Sequence, residues 1–384
     1  MSGVDDTHQT RYFAAGSALF SARCPSAILA AAVEEVFVDL PEAQPSAVAA
    51  DVVVTDAGGG RLNIDIDGVR RCSAQAPDLA MATLVSAVSR LALDAEPEHL
   101  HLHCAALSLD GDGVLISAAS GTGKTTLAAA LSQHGWTYVS DEAIALDATS
   151  ATAVGFPKPL VIKPGGGEIL AEFDAARVEL ESAEDASWWV VPAGALSAVV
   201  AGSVVPKLIV ILHRSEDRRT DQPSVITHVD PADAIVGLMS QTMDAERFGP
   251  DAVLALARLV ARCRCVAMSV GPLGQAMQTL QEQLRMTVDE KVVLELDSQS
   301  PSGSDVWRTA PTVRSVSIGE RVVVHDSTTG AVAALDEAGS AVWQVVHGKP
   351  PTWWSPEMMH AAHTTAFLED LAAHGLLIPQ IAND

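Results

Sequence analysis

A run of small residues between an apolar segment and a helix start could bind phosphate. Residues 114–117 are mostly apolar, residues 118–123 are small, and Lys124 and Thr125 follow directly. A strand, loop and helix start of this kind is typical of a P-loop, whose backbone N–H groups surround phosphate oxygens. The lysine of that motif contacts the β- and γ-phosphates, and the next hydroxyl binds Mg²⁺. The nucleotide-binding residues that we predict are Ser120, Gly121, Thr122, Gly123, Lys124, Thr125 and Thr126.

One position departs from the usual loop pattern, Gly-x-x-x-x-Gly-Lys-Ser/Thr. Ala118 stands where the first glycine is expected. Alanine fits this position as long as its backbone φ is negative, so we expect the loop to form. The alternative is that the segment is a chance glycine-rich turn. Ala118 would also favour a loop that binds a nucleotide but does not catalyse its reaction.

Two carboxylates follow the next apolar segment. Residues 136–140 predict a short strand, and Asp141 and Glu142 come directly after it. The separation from Lys124 leaves room for one helix and a neighbouring strand that ends on the same edge of the sheet, where ligands bind in α/β folds. A carboxylate there can bind Mg²⁺ or accept the proton of an attacking hydroxyl. A helix cap or a solvated turn is the alternative role for this pair.

These motifs together resemble the catalytic domain of the HPr serine kinase/phosphorylase family, and more closely the HPr-kinase-related proteins of bacterial peptide-modification gene clusters. The resemblance covers about residues 100–285 and rests on residues 103–106, 110–116, the loop, Gly135-Trp136 and 139–142. It implies an α/β P-loop kinase domain that uses ATP and Mg²⁺. The implied catalytic residues are Asp141 (as the base), Lys124 and His103, and the implied metal ligands are Thr125, Glu142 and Asp141. The long HPr-docking signature is missing, so HPr is a doubtful substrate.

Two further positions leave alternatives open. His101 and His103 alternate on a strand-like run and could bind a metal as a pair, but the sequence nearby offers no further histidine or cysteine cluster. A hydrogen-bonded structural histidine is the alternative for each of them. Residues 156–163 resemble a proline-rich strand of the HPr-kinase-related group, which implies Lys163 near the phosphates; a solvated lysine is the alternative.

The carboxy-terminal part has a different character. Residues 297–305 are polar and predict a linker, after which strands are expected at 321–326 and 331–335, then a helix over 336–346 and a last helix that ends at Gly375. This part resembles the PqqD family, small winged-helix-like modules that capture an extended leader peptide on a sheet edge. A module that only packs on the kinase domain is the alternative. DNA binding is disfavoured because the segment has no basic stripe.

Length and charge limit the remaining possibilities. The 384 residues predict an amino-terminal α+β lobe (1–99), a P-loop domain (100–286), a linker (287–311) and a PqqD-like domain (312–384). Helices are expected over 28–36 and 79–93 in the amino-terminal lobe, and helices over 232–262 are expected to close the P-loop lobe. The net charge of −24 argues against nucleic-acid and membrane partners. We expect a cytoplasmic protein with reduced cysteines, because the sequence shows no signal segment or membrane-length apolar run.

The motifs and the composition predict an ATP-dependent kinase that phosphorylates a Ser/Thr hydroxyl of a ribosomally synthesised peptide. The precursor peptide would be its partner, held by the PqqD-like domain. Other peptide-maturation enzymes and a second copy of the chain are further candidate partners. The alternatives are a catalytically weak nucleotide-binding scaffold that delivers the peptide to partner enzymes, and a kinase of a small-metabolite hydroxyl.

Overall fold

The computed structural model describes residues 9–74, 77–163, 189–196, 198–213, 223–286, 293–296, 307–355, 357–358 and 362–379. The chain is a mixed α/β protein with several sheets. It divides into two compact units. The first unit comprises residues 1–147, 152–226 and 267–286, and the second comprises residues 148–151, 227–266 and 287–384.

The amino-terminal part of the first unit is a sheet covered by two helices. Its elements are β1 (Gln9–Ala15), β2 (Ala18–Cys24), α1 (Ala27–Val36), β3 (Ala50–Gly58), β4 (Arg61–Ile66), β5 (Val69–Ala74) and α2 (Pro77–Asp94), and the strands lie in the order β1-β2-β3-β4-β5. Phe13, Phe20 and Phe37 meet in its core with ring centroids 5.4 to 5.8 Å apart. Helices α1 and α2 correspond to the helices that the sequence predicts over 28–36 and 79–93.

The rest of the first unit carries the sheet that positions the loop. Its strands and helices are β6 (Leu100–Leu102), β7 (Cys104–Leu109), β8 (Asp112–Ala118), α3 (Lys124–Gln133), β9 (Thr137–Ser140), β10 (Ile144–Leu146), β11 (Ala153–Val154), β12 (Leu160–Ile162), β13 (Trp189–Val191), β14 (Ser203–Val204), β15 (Pro206–His213) and α7 (Leu273–Arg285). Two more strands, β16 (Val225–His228) and β17 (Arg264–Ser269), have residues in both units. The main sheet has the order β16-β17-β15-β8-β7-β9. Strands β14, β11, β10 and β6 form a second sheet, and β12 pairs with β13.

Strand directions explain why the candidate residues meet. Strand β7 is antiparallel to both β8 and β9, so β8 and β9 run the same way and end at the same edge of the sheet. The β7–β8 hairpin turns at Asp110 (φ 54°) and Gly111 (φ 89°), the positive angles of a type I′ turn. The shared edge of β8 and β9 is as the sequence predicts. Their direct adjacency is not, because the hairpin places β7 between them.

The second unit combines residues from the middle and the end of the chain. Its elements are α4 (Pro231–Met239), α5 (Ala245–Phe248), α6 (Asp251–Val260), β18 (Leu294–Leu296), β19 (Trp307–Thr309), β20 (Val313–Ile318), β21 (Arg321–Asp326), β22 (Val332–Ala334), α8 (Glu337–Val346), α9 (Ala362–Ala373) and β23 (Leu377–Pro379). The strands lie in the order β18-β20-β21-β22, and β19 pairs with β23. Buried Trp343 and Val342 on α8 pack with Val322, Val324 and the last helix.

The second unit differs from the sequence expectations in two places. Helices α4 and α6 pack against β20, β21 and β22, so the helices expected to close the P-loop lobe belong to the second unit. Most of the predicted linker lies outside the described residues, and its described residues include β18 and β19. The strand and helices predicted over 321–326, 336–346 and up to Gly375 correspond to β21, α8 and α9. The predicted domain boundaries stay a prediction.

None of the helices in the described ranges has the length and apolar character needed to cross a membrane.

Candidate functional site

The glycine-bearing loop joins β8 to α3 at the edge where β8 ends. Gly121 (φ 80°) and Gly123 (φ 110°) adopt left-handed angles that favour glycine, and Gly123 directly precedes the first turn of α3. Ala118 is the last residue of β8, in extended strand conformation that any residue adopts. The departure from the motif therefore falls where glycine is not required. A helix start presents N–H groups and a positive dipole end, which favour an anion.

Lys124 extends from the first turn of α3 to the start of β7. Its Nζ lies 3.3 Å from the carbonyl oxygen of His103, and the side chain is buried. Burial lowers the pKa of Lys124, although the nearby carboxylates of Asp141 and Glu142 act in the opposite direction. A cation here is placed between the loop and the carboxylates, where it can attract phosphate charge.

Asp141 follows β9 and lies inside a hydrogen-bonded cluster. Its Oδ1 accepts hydrogen bonds from Lys158 Nζ (2.5 Å) and from the Tyr138 hydroxyl (3.0 Å). The Thr125 hydroxyl, on the first turn of α3, also bonds to this carboxylate. Burial alone would raise the pKa of Asp141, but the Lys158 charge and these three hydrogen bonds outweigh it and hold the pKa below its ordinary value. Asp141 is therefore a buried carboxylate anion that links α3 to β9.

Lys158 is the residue of this cluster that the sequence reasoning missed. Its side chain is 1% exposed, and its Nζ lies 2.5 Å from Asp141, 3.4 Å from Glu142 Oε2 and 3.2 Å from the carbonyl of Pro159. Burial would lower the pKa of Lys158, but the two carboxylates outweigh it and raise the pKa above its ordinary value. The signal was a single lysine between Pro157 and Pro159 within an otherwise apolar segment.

Glu142 and His103 lie on the more open side of the cluster. The Glu142 side chain is 35% exposed, whereas that of Asp141 is 2% exposed. His103 immediately precedes β7 and is half-buried. Burial, followed by the Lys124 charge, lowers the pKa of His103, and Glu142 and Asp141 counteract this only in part. We therefore expect a neutral imidazole at pH 7, able to donate or accept a hydrogen bond.

Contacts describe the surroundings of the two residues for which the sequence left alternatives open. His101 is buried, and its Nε2 lies 3.1 Å from the carbonyl oxygen of Glu96, which is the contact of a structural histidine. Lys163 is exposed, and its Nζ lies 3.1 Å from Ser120 Oγ in the loop. Lys163 is thus both at the loop and exposed, and its role near phosphates stays a prediction. Thr126 lies one residue beyond Thr125 on α3 and is half-buried.

The oxygen atoms of the cluster fit a magnesium ion that is shared with phosphate groups. Mg²⁺ prefers carboxylate and hydroxyl oxygens and is commonly held by one or two carboxylates together with substrate phosphates. Thr125 and Asp141 are in hydrogen-bond contact, so their oxygens are close enough to share one ion. Within the described residues, no group of three or more His, Cys, Asp or Glu side chains could hold a metal ion. An ion here would therefore need the phosphates as further ligands.

Comparison with known proteins adds little to this geometry. No family model matches the chain. No curated protein matches it either. Among solved structures it is similar to the Hpr(Ser) kinase/phosphatase from Coxiella burnetii, with 17% sequence identity and a TM-score of 0.26 over 48% of this chain and 95% of that chain.

Proposed function

We propose that this chain binds ATP at the loop of residues 119–123 and transfers the γ-phosphoryl group to a hydroxyl. The observation that carries the proposal is the meeting, at one sheet edge, of the helix start at Lys124 with the carboxylates after β9. The Thr125 hydroxyl bonds to Asp141 there, which brings the phosphate-binding and acidic groups together. Phosphoryl transfer needs these parts, because its catalysis is mainly positioning and charge stabilisation.

Each side chain has a proposed role in that reaction. Lys124 offsets the negative charge of the β- and γ-phosphates, and neutral His103 forms a hydrogen bond to the phosphoryl oxygens or the acceptor. Thr125, Asp141 and Glu142 are the residues that would hold Mg²⁺, which neutralises phosphate charge when bound. The sequence resemblance assigns the hydroxyl proton to Asp141. Lys163, at Ser120, adds a second positive charge at the outer side of the loop.

The proposed acceptor is a Ser/Thr hydroxyl of a ribosomally synthesised peptide, with residues 312–384 as its PqqD-like binding module. Support comes from the sequence resemblance and from the order of β20, β21, β22, α8 and α9. Strand β22 is an edge strand among the described residues. Leu335 N donates a hydrogen bond to Val322 O, and Asp326 N donates one to Ala331 O. In an antiparallel pair of strands, hydrogen-bonded and non-hydrogen-bonded residue pairs alternate. The backbone groups of Val332 and Ala334 therefore point away from β21. The carbonyl oxygen of Ala334 already accepts a hydrogen bond from Arg321 Nη2, at 3.5 Å. An extended peptide could bind to the N–H of Ala334 and to the backbone groups of Val332.

Phosphoryl transfer is tested with ATP, Mg²⁺ and a peptide encoded beside the gene, followed by mass spectrometry. We expect a phosphopeptide from the wild-type chain and a loss of at least about 100-fold in rate with Lys124→Met. The matched control is Lys207→Met, the same change at a lysine 57% exposed on β15. No phosphopeptide, although the peptide is shown to bind, would contradict the kinase proposal.

Peptide capture is tested separately by binding of a fluorescent precursor peptide to the full chain. We expect Ala334→Pro to weaken binding by about tenfold, because proline removes one outward N–H from the edge of β22. Ala334→Ser keeps that N–H and is the control. Equal affinities for the two variants would argue against strand addition at this edge.

A second candidate function is a nucleotide-binding scaffold that delivers peptide without reacting. The observation that favours it is the engagement of Asp141 by Lys158 and Tyr138, which leaves this carboxylate buried. The scaffold predicts that Lys124→Met leaves peptide maturation unchanged in the presence of partner enzymes. The kinase predicts that maturation is lost while peptide binding is retained.

A further inference from the structure

The two carboxylates after β9 are neighbours in sequence but have different surroundings. The Asp141 side chain is 2% exposed, and the Glu142 side chain is 35% exposed. Both residues lie in the bend that follows β9, and both carboxylates contact the Lys158 ammonium, so the difference between them is in exposure. A substrate hydroxyl could reach Glu142 without a rearrangement, whereas it could not reach Asp141.

Asp141 Oδ1 already has two hydrogen-bond donors. Lys158 Nζ and the Tyr138 hydroxyl both bond to it, at 2.5 and 3.0 Å. A carboxylate oxygen has two lone pairs for such bonds, so Oδ1 offers no further position to a substrate. The Thr125 hydroxyl bonds to the same carboxylate from the first turn of α3. These contacts suit a fixed anchor better than a group that must accept a proton during each turnover.

Both the backbone and the side chain of Lys158 are fixed by contacts. Its backbone lies between Pro157 and Pro159, and its Nζ also bonds to the carbonyl oxygen of Pro159 at 3.2 Å. The Tyr138 hydroxyl is 3.0 Å from the carbonyl oxygen of Lys158, which closes the cluster. The ammonium is nearer to Asp141 than to Glu142, by 2.5 against 3.4 Å. Lys158 therefore engages one carboxylate more closely than the other.

We propose that Lys158 is a positioning residue that gives the two carboxylates separate roles: it fixes Asp141 as a buried anchor beside Thr125 and leaves Glu142 as the carboxylate that meets the acceptor hydroxyl. This rests on the proposed kinase function and reverses the roles that the sequence resemblance assigns. In the reaction, the hydroxyl oxygen forms a bond to the γ-phosphorus. The bond from that phosphorus to the β–γ bridging oxygen breaks, ADP leaves with the electron pair, and the hydroxyl proton passes to Glu142.

Chemical labelling tests the division of roles without any turnover. The wild-type chain is treated with a water-soluble carbodiimide and glycine ethyl ester, and tandem mass spectrometry locates the modified carboxyl groups. We expect Glu142 to be modified at least about tenfold faster than Asp141, since reagents reach only exposed groups. Equal rates, or faster modification of Asp141, would overturn the proposal, whatever the outcome for the kinase function.

Enzyme kinetics test the separate roles of Asp141 and Glu142. The rate of phosphate release from ATP, with water as the acceptor, is measured as a function of the Mg²⁺ concentration. We expect Glu142→Gln to lower kcat about 100-fold or more at saturating Mg²⁺, while the affinity for a fluorescent ATP analogue changes by less than about threefold. Asp141→Asn should instead raise the Mg²⁺ concentration needed for half-maximal activity by about tenfold. The reverse pattern would overturn the proposal.

One control guards against unfolding. Asp141→Asn leaves the Lys158 ammonium buried without its nearer partner, so the double variant Asp141→Asn/Lys158→Met is measured beside it and should show the same weakened Mg²⁺ dependence. If the wild-type chain binds no ATP analogue, the proposed function fails, and the labelling rates alone decide whether the carboxylates are divided.

Discussion

Each compact unit contains an ionisable side chain that is almost completely buried, and the two have opposite surroundings. In the first unit, Lys158 is 1% exposed and lies between the carboxylates of Asp141 and Glu142. In the second unit, His325 on β21 is also 1% exposed, but neither of its ring nitrogens has a hydrogen-bond partner among the described residues. Burial is the same at the two positions, and only the partners differ.

This difference decides which group keeps its charge. Burial alone would lower the pKa of both side chains. At Lys158 the two carboxylates more than compensate, and the pKa is raised above its ordinary value. At His325 the neighbouring Asp326 compensates only in part, and the pKa is lowered. A buried charge thus persists where opposite charge is built around it, as it is around Lys158 at the candidate site.

The largest effect should come from removing the partner of a buried charge. Lys158→Met leaves Asp141 buried without its cation, and we expect the free energy of unfolding to fall by about 3 to 5 kcal/mol. Urea denaturation at pH 7, followed by circular dichroism, measures this loss. An unchanged midpoint would mean that the Asp141 carboxylate finds water or another donor. Lys158 would then not be needed to stabilise this buried charge, and the contrast with His325 would be wrong.

A double variant checks that the loss comes from the unpaired charge and not from packing. Asp141→Asn/Lys158→Met removes both charges and keeps the approximate volumes, so it should recover most of the stability that Lys158→Met loses. If the double variant is as unstable as the single one, the side-chain volume of Lys158 matters more than its charge.

His325 should behave in the opposite way, because its polar atoms are buried and find no hydrogen-bond partner within the described part of the chain. His325→Leu removes these ring nitrogens and should raise the free energy of unfolding by about 1 kcal/mol at pH 7.5. The control is His374→Leu at a histidine 69% exposed, which should change stability by no more than about 0.5 kcal/mol. A destabilised His325→Leu would show that the imidazole contributes more by its shape than it costs by its buried nitrogens.

The pH dependence of stability sharpens this prediction. The pKa of His325 in the folded chain lies below its ordinary value of 6.5, so the unfolded chain takes up the proton first as the pH falls. Wild-type stability is therefore fully present above about pH 6.5 and is lost progressively below it. The stability difference between His325→Leu and wild type should widen by about 1 kcal/mol between pH 7.5 and pH 5.5. A difference that is constant with pH would contradict the lowered pKa.

The sequence predicted those features that depend on neighbouring residues. The loop between β8 and α3, the strand before Asp141, and the helices α1, α2, α8 and α9 all follow from local patterns of apolar residues, glycines and caps. The loop glycines that need positive φ are Gly121 and Gly123, and both are present in the motif. Whether alanine fits at position 118 could not be predicted, because it depends on where strand β8 ends. The structure places Ala118 inside the strand, where glycine is not required.

Features that depend on distant contacts were not predictable in this way. The place of β7 between β8 and β9 depends on strand order, and the pair of Lys158 with Asp141 depends on the path of the chain after β10. Lys158 and Lys163 stand in one proline-rich segment, and the prolines on either side of Lys158 do not show from the sequence that it is the buried lysine. The resemblance to known kinases drew attention to the exposed one, and the buried one became visible only through its contacts.

Lys163 completes the comparison as a lysine that is exposed rather than buried. Its Nζ lies 3.1 Å from Ser120 Oγ, so the ammonium is at the loop but remains in contact with water. An exposed charge gives up little hydration, and we expect Lys163→Met to change the free energy of unfolding by no more than about 0.5 kcal/mol. If the loop binds ATP, the same variant should weaken the affinity by about fivefold, since it removes one charge-assisted contact worth about 1 kcal/mol. Denaturation and titration with a fluorescent ATP analogue measure the two quantities on one protein sample. A large loss of stability would place Lys163 with Lys158 as a structural cation, whereas unchanged affinity would leave Lys124 as the lysine that the nucleotide contacts.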